Sequence, residues 1–320
     1  MEANADTVGM ISNPASGHNR SQFQALQQRI DRCTPIHHII TASAQDIDSA
    51  LQTLAAKNIS VLAINGGDGT SSAILGRLLE TRPFAQLPKI ALLPGGTANM
   101  NAGDVGIKGS LKKAVEVFCH WVEQPASGSA TTQQRHLLRV QLANGQVQYS
   151  MFLGGGAIIH GTEYAHREIH SRGLRDDFSL ILGTVRTVWG VVRDDPQFNR
   201  HISIELRLDD SEVQQFDTLI LAVSTLQRLS FGMRPFWSDA AGAIRLTLME
   251  QGCSKFGRTF ASIIRGRPNN NAKASSGYHS HNADRIELTL SGPLNLDGEI
   301  LQCDGRVCIT ATQPLEFLQL

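Results

Sequence analysis

The sequence predicts an α/β domain of Rossmann-like order followed by a mostly β domain, antiparallel and sandwich-like. Three observations lead there. Residues 1–125 alternate short apolar runs with helical patterns, the order that builds βαβ units on a parallel sheet. Residues 123–134 are a Ser/Thr/Gln/Gly/Pro stretch without periodicity, which reads as a linker. From residue 135 to 320 many of the apolar segments alternate with period two, as half-buried strands do. A chain of 320 residues with 41% hydrophobic content suits two cores better than one.

Taken in order, Val8 to Ser12 reads as the first strand and Arg20 to Asp31 as the helix after it. Ile36 to Thr41 is a second strand, Ala44 to Lys57 an amphipathic helix, and Val61 to Asn65 a third strand that feeds a glycine-rich turn. Ser71 to Glu80 is then helical, Ile90 to Leu93 a fourth strand, and Ser110 to Trp121 another helix. Each of these strands ends at a polar or glycine turn, so the turns are expected along one sheet edge. Past the linker, Arg139 to Leu153, His201 to Leu208, Thr218 to Val223, Ile244 to Met249, Ile286 to Leu290 and Val307 to Ala311 are strand-like. Ser179 to Arg193 and Phe256 to Arg265 read as helices, and the polar stretch Pro268 to Ser280 as a mobile loop.

Lys plus Arg and Asp plus Glu balance at 29 each. No whole-molecule field draws in nucleic acid or an anionic membrane, so no nucleic-acid partner is expected. The five cysteines are scattered without the CxxC pairs of a zinc site, and reduced thiols in a cytoplasmic protein are the expectation. Met1 to Thr7 carries two acids and no basic apolar run, unlike a secretory signal. No run approaches the ~20 apolar residues that span a bilayer.

The strongest local signal is Gly66-Gly67-Asp68-Gly69-Thr70, between an apolar strand and a helix. Glycines let successive backbone N–H groups turn toward an anion, and the helix adds its positive N-terminal end; a phosphate fits such a cradle. Asp68 would repel a bare phosphate. It implies a bridging Mg²⁺ or a substrate hydroxyl that must lose its proton, unless it simply caps the helix. A second turn, Leu93-Pro94-Gly95-Gly96-Thr97-Ala98-Asn99, follows the next strand, and a third, Asn13-Pro14-Ala15-Ser16-Gly17-His18-Asn19-Arg20, follows the first and ends in a cation.

Those turns, in that order, resemble the diacylglycerol kinase catalytic domain family, which includes sphingosine and ceramide kinases and bacterial lipid kinases. The family's Asp-Gly-Glu near the C-terminus is matched by Asp297-Gly298-Glu299. The resemblance implies a two-domain lipid kinase of the fold shared with NAD kinases, acting in phospholipid biosynthesis. Mg-ATP would bind the first domain and a lipid the second, with transient contact at a membrane surface. The final segment would return to the first domain. It places Asn13, Ser16, Gly17, Arg20 and Thr41 at the nucleotide and Gly66, Gly67, Asp68, Gly69, Thr70, Gly96, Thr97 and Asn99 around the phosphates. Glu299, beside Asp297, or Asp68 would be the base, and Asp68 would reach the metal through Mg-ATP. An Asn-Glu pair typical of NAD kinases is absent from the sequence.

The match departs from the family in three places. Asn19-Arg20 stands where a Gly-Lys is usual. Met100 follows Asn99 where an acid is common, with Asp104 four positions on. Ala240 and Ala241 stand where bacterial relatives carry a metal-binding Asp-Asp, so no structural metal is expected. A nucleotide- or lipid-binding regulator and a sphingoid-type kinase are the alternatives. His160, His166 and His170 with Glu163 read as an exposed helix face rather than a metal set. Phe178 to Val192 suits an acyl-pocket wall or plain core. Phe256, Phe260, Ile263 and Ile264, flanked by Lys255, Arg258, Arg265 and Arg267, suit either an anionic lipid surface or a helix packed on the sheet.

Overall fold

The computed structural model describes residues 7–33, 35–124, 130–163, 190 and 201–320. The chain divides into two compact units. One comprises Met1–Arg135 with Pro314–Leu320, the other His136–Gln313.

The first unit is built on a six-stranded sheet, ordered β2-β1-β3-β4-β15-β5. Its strands are β1 (Val8–Ser12), β2 (Ile36–Ile40), β3 (Val61–Gly66), β4 (Lys89–Pro94), β5 (Thr131–Arg135) and β15 (Leu315–Gln319). β1 to β4 run parallel. Every residue of β1 and β3 is buried, which is why they read as unbroken apolar runs; helices cover both faces of a parallel sheet. Those helices are α1 (Asn19–Arg32), α2 (Ile47–Ala56), α3 (Asp68–Thr81), the short α4 (Met100–Val105) and α5 (Leu111–Glu123). In α5, Leu111, Ala114, Val115, Phe118, Cys119 and Val122 recur at helical spacing and are buried. They pack with Met10, Val61, Ala63, Ala91 and Leu93 of the sheet, and each large side chain contributes about 2–3 kcal/mol of burial.

In the stretch that reads as a linker, α5 runs to Glu123, and Thr131–Arg135 forms β5, antiparallel to β15. The strand is hard to see because Thr-Thr-Gln-Gln-Arg carries no apolar side chain, as an exposed sheet edge permits. β15 lies between β4 and β5.

The second unit is antiparallel throughout, as the fold class requires. Its strands are β6 (Leu138–Gln141), β7 (Val147–Ser150), β8 (Phe152–Gly156), β9 (Ile202–Leu208), β10 (Gln214–Ser224), β11 (Ile244–Glu250), β12 (Tyr278–Ala283), β13 (Arg285–Leu296) and β14 (Glu299–Ala311). Their order is β12-β11-β10-β8-β13-β14-β6-β7, and β9, like β8, pairs with both β10 and β13. That circuit of strands wraps a core of Leu153, Leu221, Leu246, Ile286, Leu288 and Val307.

The expected strand Arg139 to Leu153 is three strands. An Asn144-Gly145 turn, with Gly145 at φ 85° and its N–H on Leu142 O, reverses the chain after β6. Pro268 to Ser280 is not a free loop. Asn271 donates to Ser254 O (2.7 Å) and Thr259 Oγ1 (3.1 Å), Asn269 Oδ1 accepts from Asn271 N, and the segment ends in edge strand β12. Side-chain amides hold it as turn scaffolding, a role composition does not reveal. Phe256–Ile264 is a helix, α6 in this numbering, whose Phe256, Phe260 and Ile263 pack on Met249 and Tyr278, while Arg258, Arg265 and Arg267 are exposed. His166, His170 and, apart from residue 190, the segment Phe178 to Val192 with the expected helix Ser179 to Arg193 lie outside the described residues. His160 and Glu163 sit on helical residues 157–163, 3.6 Å apart. No described helix is long and apolar enough to cross a membrane.

Candidate functional site

Sheet register decides where the three turns meet. Ser12 of β1 pairs with Asn65 of β3, and Gly66 with Pro94 of β4. The carboxyl ends of three adjacent strands are therefore level, and the turns they feed lie side by side, where open α/β sheets bind ligands.

Asn19 ties them together. It is fully buried at the start of α1. Its backbone N–H donates to Gly95 O (3.2 Å), and its Nδ2 donates to Asn13 O (2.8 Å) and Asn65 O (3.1 Å). One residue thus bonds within its own turn, to the Leu93–Asn99 turn, and to the end of β3 that feeds the Gly66–Thr70 turn. Around it, Asn13 Nδ2 donates to Thr70 Oγ1 (2.9 Å), Gly67 N to Ser16 Oγ (3.3 Å), and Gly95 N to Gly66 O (3.1 Å). Asn19 was legible only as a departure from the usual glycine. Its function as a tie depends on partners 6, 46 and 76 positions away, and the sequence carries no local signal for that.

The turns also approach one another too closely for side chains. A Cβ on Gly96 would collide with Gly67 Cα, and one on Gly17 with Thr97 Oγ1. Glycine is required here by space, not by φ. Because the N-cap of α3 is Gly67, no side chain caps that helix. The N–H groups of Asp68, Gly69 and Thr70 have no carbonyl four residues back within the helix, so the positive end of α3 is presented to an external anion.

Asp68 does not cap its own helix. Its Oδ2 accepts from Met100 N (3.0 Å) and its Oδ1 from Asn101 N (2.8 Å), so it holds the start of α4 and with it the Leu93–Asn99 turn. Burial pushes its carboxyl up from the ordinary range, against the pull of those two N–H groups. Asn99 fixes the same turn from the other side. It sits at φ 48°, its Oδ1 accepts from Gly96 N (2.7 Å), and its Nδ2 donates to Gly96 O (2.8 Å). Asp104, four positions after Met100, is buried and ion-paired with Arg135 at 3.1 Å.

Two further sequence candidates flank the turns. Arg20 is exposed, its guanidinium curled back on Ala15 O (3.1 Å). Thr41, one residue past β2, is buried and donates from both N–H (3.0 Å) and Oγ1 (3.3 Å) to Ser12 O. Asn101, which sequence reasoning passed over, carries a buried amide whose two polar atoms have no partner among the described residues.

The arrangement suits phosphate oxygens: backbone donors, small residues and the hydroxyls of Ser16, Thr70 and Thr97 converge, with Arg20 alongside. It suits a protein-held cation poorly, since both oxygens of Asp68 face N–H donors. Among the described residues no three His, Cys, Asp or Glu side chains cluster as a metal site.

In the second unit, Asp297 and Gly298, at φ 48° and 96°, form the two-residue turn between β13 and β14, with Leu296 opposite Glu299. Asp297 accepts from Met151 N (2.9 Å) and Phe152 N (3.0 Å) and so braces the start of β8. Asn295 Oδ1 accepts from Gly298 N (3.1 Å). Glu299, first residue of β14, is exposed. Ala240 and Ala241 are exposed in the loop before β11, where Asn282 Nδ2 donates to Ala240 O (2.6 Å).

Comparison with known proteins adds to this geometry. The model of the diacylglycerol kinase catalytic domain matches residues 7–130. A curated relative, a probable lipid kinase YegS-like protein of Enterobacter sp. (strain 638), is 32% identical over 108 residues, 34% of this chain and 36% of that protein; the match thus spans about a third of the relative. Among solved structures, a putative diacylglycerol kinase from Bacillus anthracis str. Sterne superposes with a TM-score of 0.66 at 16% identity, covering 99% of this chain and 98% of that one. A second diacylglycerol kinase structure from the same organism gives 0.61 at 15%, covering 99% and 97%. These two extend the likeness of fold to the whole chain. Residues 7–130, which carry all three turns, are thus similar to the diacylglycerol kinase catalytic domain.

Proposed function

We propose that the protein is a lipid kinase that transfers the γ-phosphoryl group of ATP to a hydroxyl of diacylglycerol or a related glycerolipid. The observation that carries this reading is the convergence of the three turns on Asn19, with the uncapped start of α3 beside them. Phosphoryl transfer asks little covalent chemistry of a protein. It asks for in-line positioning and compensation of charge. The turns orient the phosphates through backbone N–H groups and through Ser16, Thr70 and Thr97, and Arg20 offsets charge from the rim. Mg²⁺, when bound, would supply further charge compensation, and the donor set favours its arrival on the nucleotide.

A lipid hydroxyl is a weak nucleophile until a carboxylate accepts its proton. Asp68 spends both oxygens on Met100 and Asn101, which makes it a positioning residue for the Leu93–Asn99 turn. Glu299 is the exposed carboxylate and takes the base role, with Asp297 and Asn295 holding its hairpin. The acceptor sits in a bilayer, so catalysis includes a transient visit to a membrane surface. The test uses γ-labelled ATP, a total lipid extract, and wild-type and Glu299→Gln proteins. The wild type should label a lipid, and the variant should lose about 10²- to 10⁴-fold in kcat with little change in nucleotide affinity. A variant with more than half the wild-type rate would remove Glu299 from the base role. ATP binding with no labelled lipid would favour a catalytically silent regulator, the reading that Met100 in place of an acid supports.

A further inference from the structure

Phe231 is out of place for a residue that serves only folding. Among the described residues four large apolar side chains are exposed, and Phe231, at 54%, is the most exposed and the only aromatic. Its backbone sits at φ 58°, ψ 20°, a left-handed conformation rare for a bulky side chain. A tight loop presents it: Leu229 N donates to Met233 O (2.8 Å) and Gly232 N to Leu229 O (3.1 Å). An exposed aromatic held in strained backbone is a cost without a packing return, the kind of outlier from which function is argued.

Between Asp217 and Asp239, and again after Glu250, the chain is one-signed. Residues 218–238 and 251–272 carry Arg228, Arg234, Lys255, Arg258, Arg265 and Arg267 and neither Asp nor Glu, in a chain whose acids equal its Lys and Arg overall. All six are exposed. The two segments are joined within the second unit. Arg234 N donates to Ile264 O (2.9 Å), and the Arg234 side chain lies over Gly266, between Arg265 and Arg267. The aromatic residues of α6 do not offer the apolar contact, because Phe256 and Phe260 stack on each other (5.3 Å between centroids) and pack on Met249 and Tyr278.

We infer that this face of the second unit is a membrane-docking surface, with Phe231 inserting between lipids and the arginines around it held by anionic headgroups. The occupant is a bilayer rather than a protein groove because the apolar element is a single protruding side chain with exposed Arg228 and Arg234 three residues to either side. An apolar side chain within a basic face is the pattern of interfacial binding. The inference rests on the lipid-kinase reading for its purpose, and its test is independent of catalysis.

Full-length protein is sedimented, without nucleotide, with vesicles of phosphatidylglycerol and phosphatidylcholine or of phosphatidylcholine alone. The wild type should bind the anionic vesicles at least tenfold more tightly, and the preference should shrink with salt. Phe231→Gly should weaken binding about tenfold while raising Tm, because glycine tolerates the left-handed backbone. A merely structural Phe231 would lower Tm on substitution. Replacing Arg228, Arg234 and Arg265 by Glu should abolish the anionic preference. Wild-type protein without such a preference, or Phe231→Gly protein that binds as tightly as wild type, overturns the docking surface. Phosphorylation of a short-chain, water-soluble diacylglycerol, measured alongside without vesicles, should be unchanged in both variants. Its absence in the wild type would count against the kinase reading and leave the vesicle result standing.

Discussion

Replacing Asn19 by Ala removes the side-chain tie among the three turns while leaving the backbone bond to Gly95 O in place. Two hydrogen bonds are lost, a part-buried one at 2.8 Å and a buried one at 3.1 Å. Neither carbonyl is left bare, since Asn13 O also accepts from Ser16 N (3.3 Å) and Asn65 O from Asn13 N (2.9 Å). The cost therefore falls at about 1–3 kcal/mol rather than the larger penalty of two orphaned acceptors. That corresponds to a Tm lower by about 3–10 °C. Nucleotide affinity should suffer separately, because the Asn13–Arg20 turn is no longer fixed by that side chain beside the other two; a tenfold loss corresponds to ~1.4 kcal/mol. Asn19→Asp is the sharper variant. It replaces a donor with a buried carboxylate facing two carbonyl oxygens, and it should destabilise more than Ala. Calorimetric melting and titration with a non-hydrolysable ATP analogue read the two effects. An Asn19→Ala protein whose Tm and affinity both match wild type would refute the tie.

Two further outcomes follow from the same turns. Asp68 has its carboxyl raised by burial, so the folded state holds its proton more tightly than the unfolded state does. Its contribution to stability is then complete below the unfolded value and is lost as pH rises through the folded one. The Tm of Asp68→Asn minus that of wild type should grow as pH is raised from the ordinary carboxylate range; a flat difference would show that burial does not govern this group. Gly96→Ala places a methyl group against the Gly67 backbone, which has no flexible end to yield. ATP-analogue affinity should drop at least tenfold, and an unaltered titration would mean the turns are looser than described.

The parts legible in the sequence are those whose cause is local. The run Val61-Leu62-Ala63-Ile64 announces a doubly buried strand, and the glycines after it announce a turn, because burial and backbone permissiveness act on the residues themselves. β5 and β12 were invisible for the opposite reason: at sheet edges, pairing is supplied by the neighbour and the side chains stay polar. Asp68 shows the limit most clearly. Its type and place suggested a metal ligand, a base or a cap of its own helix. Its partners, the N–H groups of Met100 and Asn101, lie more than thirty residues on. Asn19 and Asn101 were unreadable likewise, since what a buried amide does depends on which loops close around it.

Strand β15 bears on how the molecule can be made. Among the described residues β5 pairs with no strand but β15, and Leu315, Phe317 and Leu318 are buried. Covalently, residues 136–313 are an insertion into the first unit. During synthesis the sheet that carries the three turns must therefore wait, with the edge of β4 open, until the whole second unit has been made. A fragment ending near residue 130, where the family match ends, would expose that edge permanently. It should self-associate through β4, and adding a peptide of residues 314–320 should suppress the aggregation.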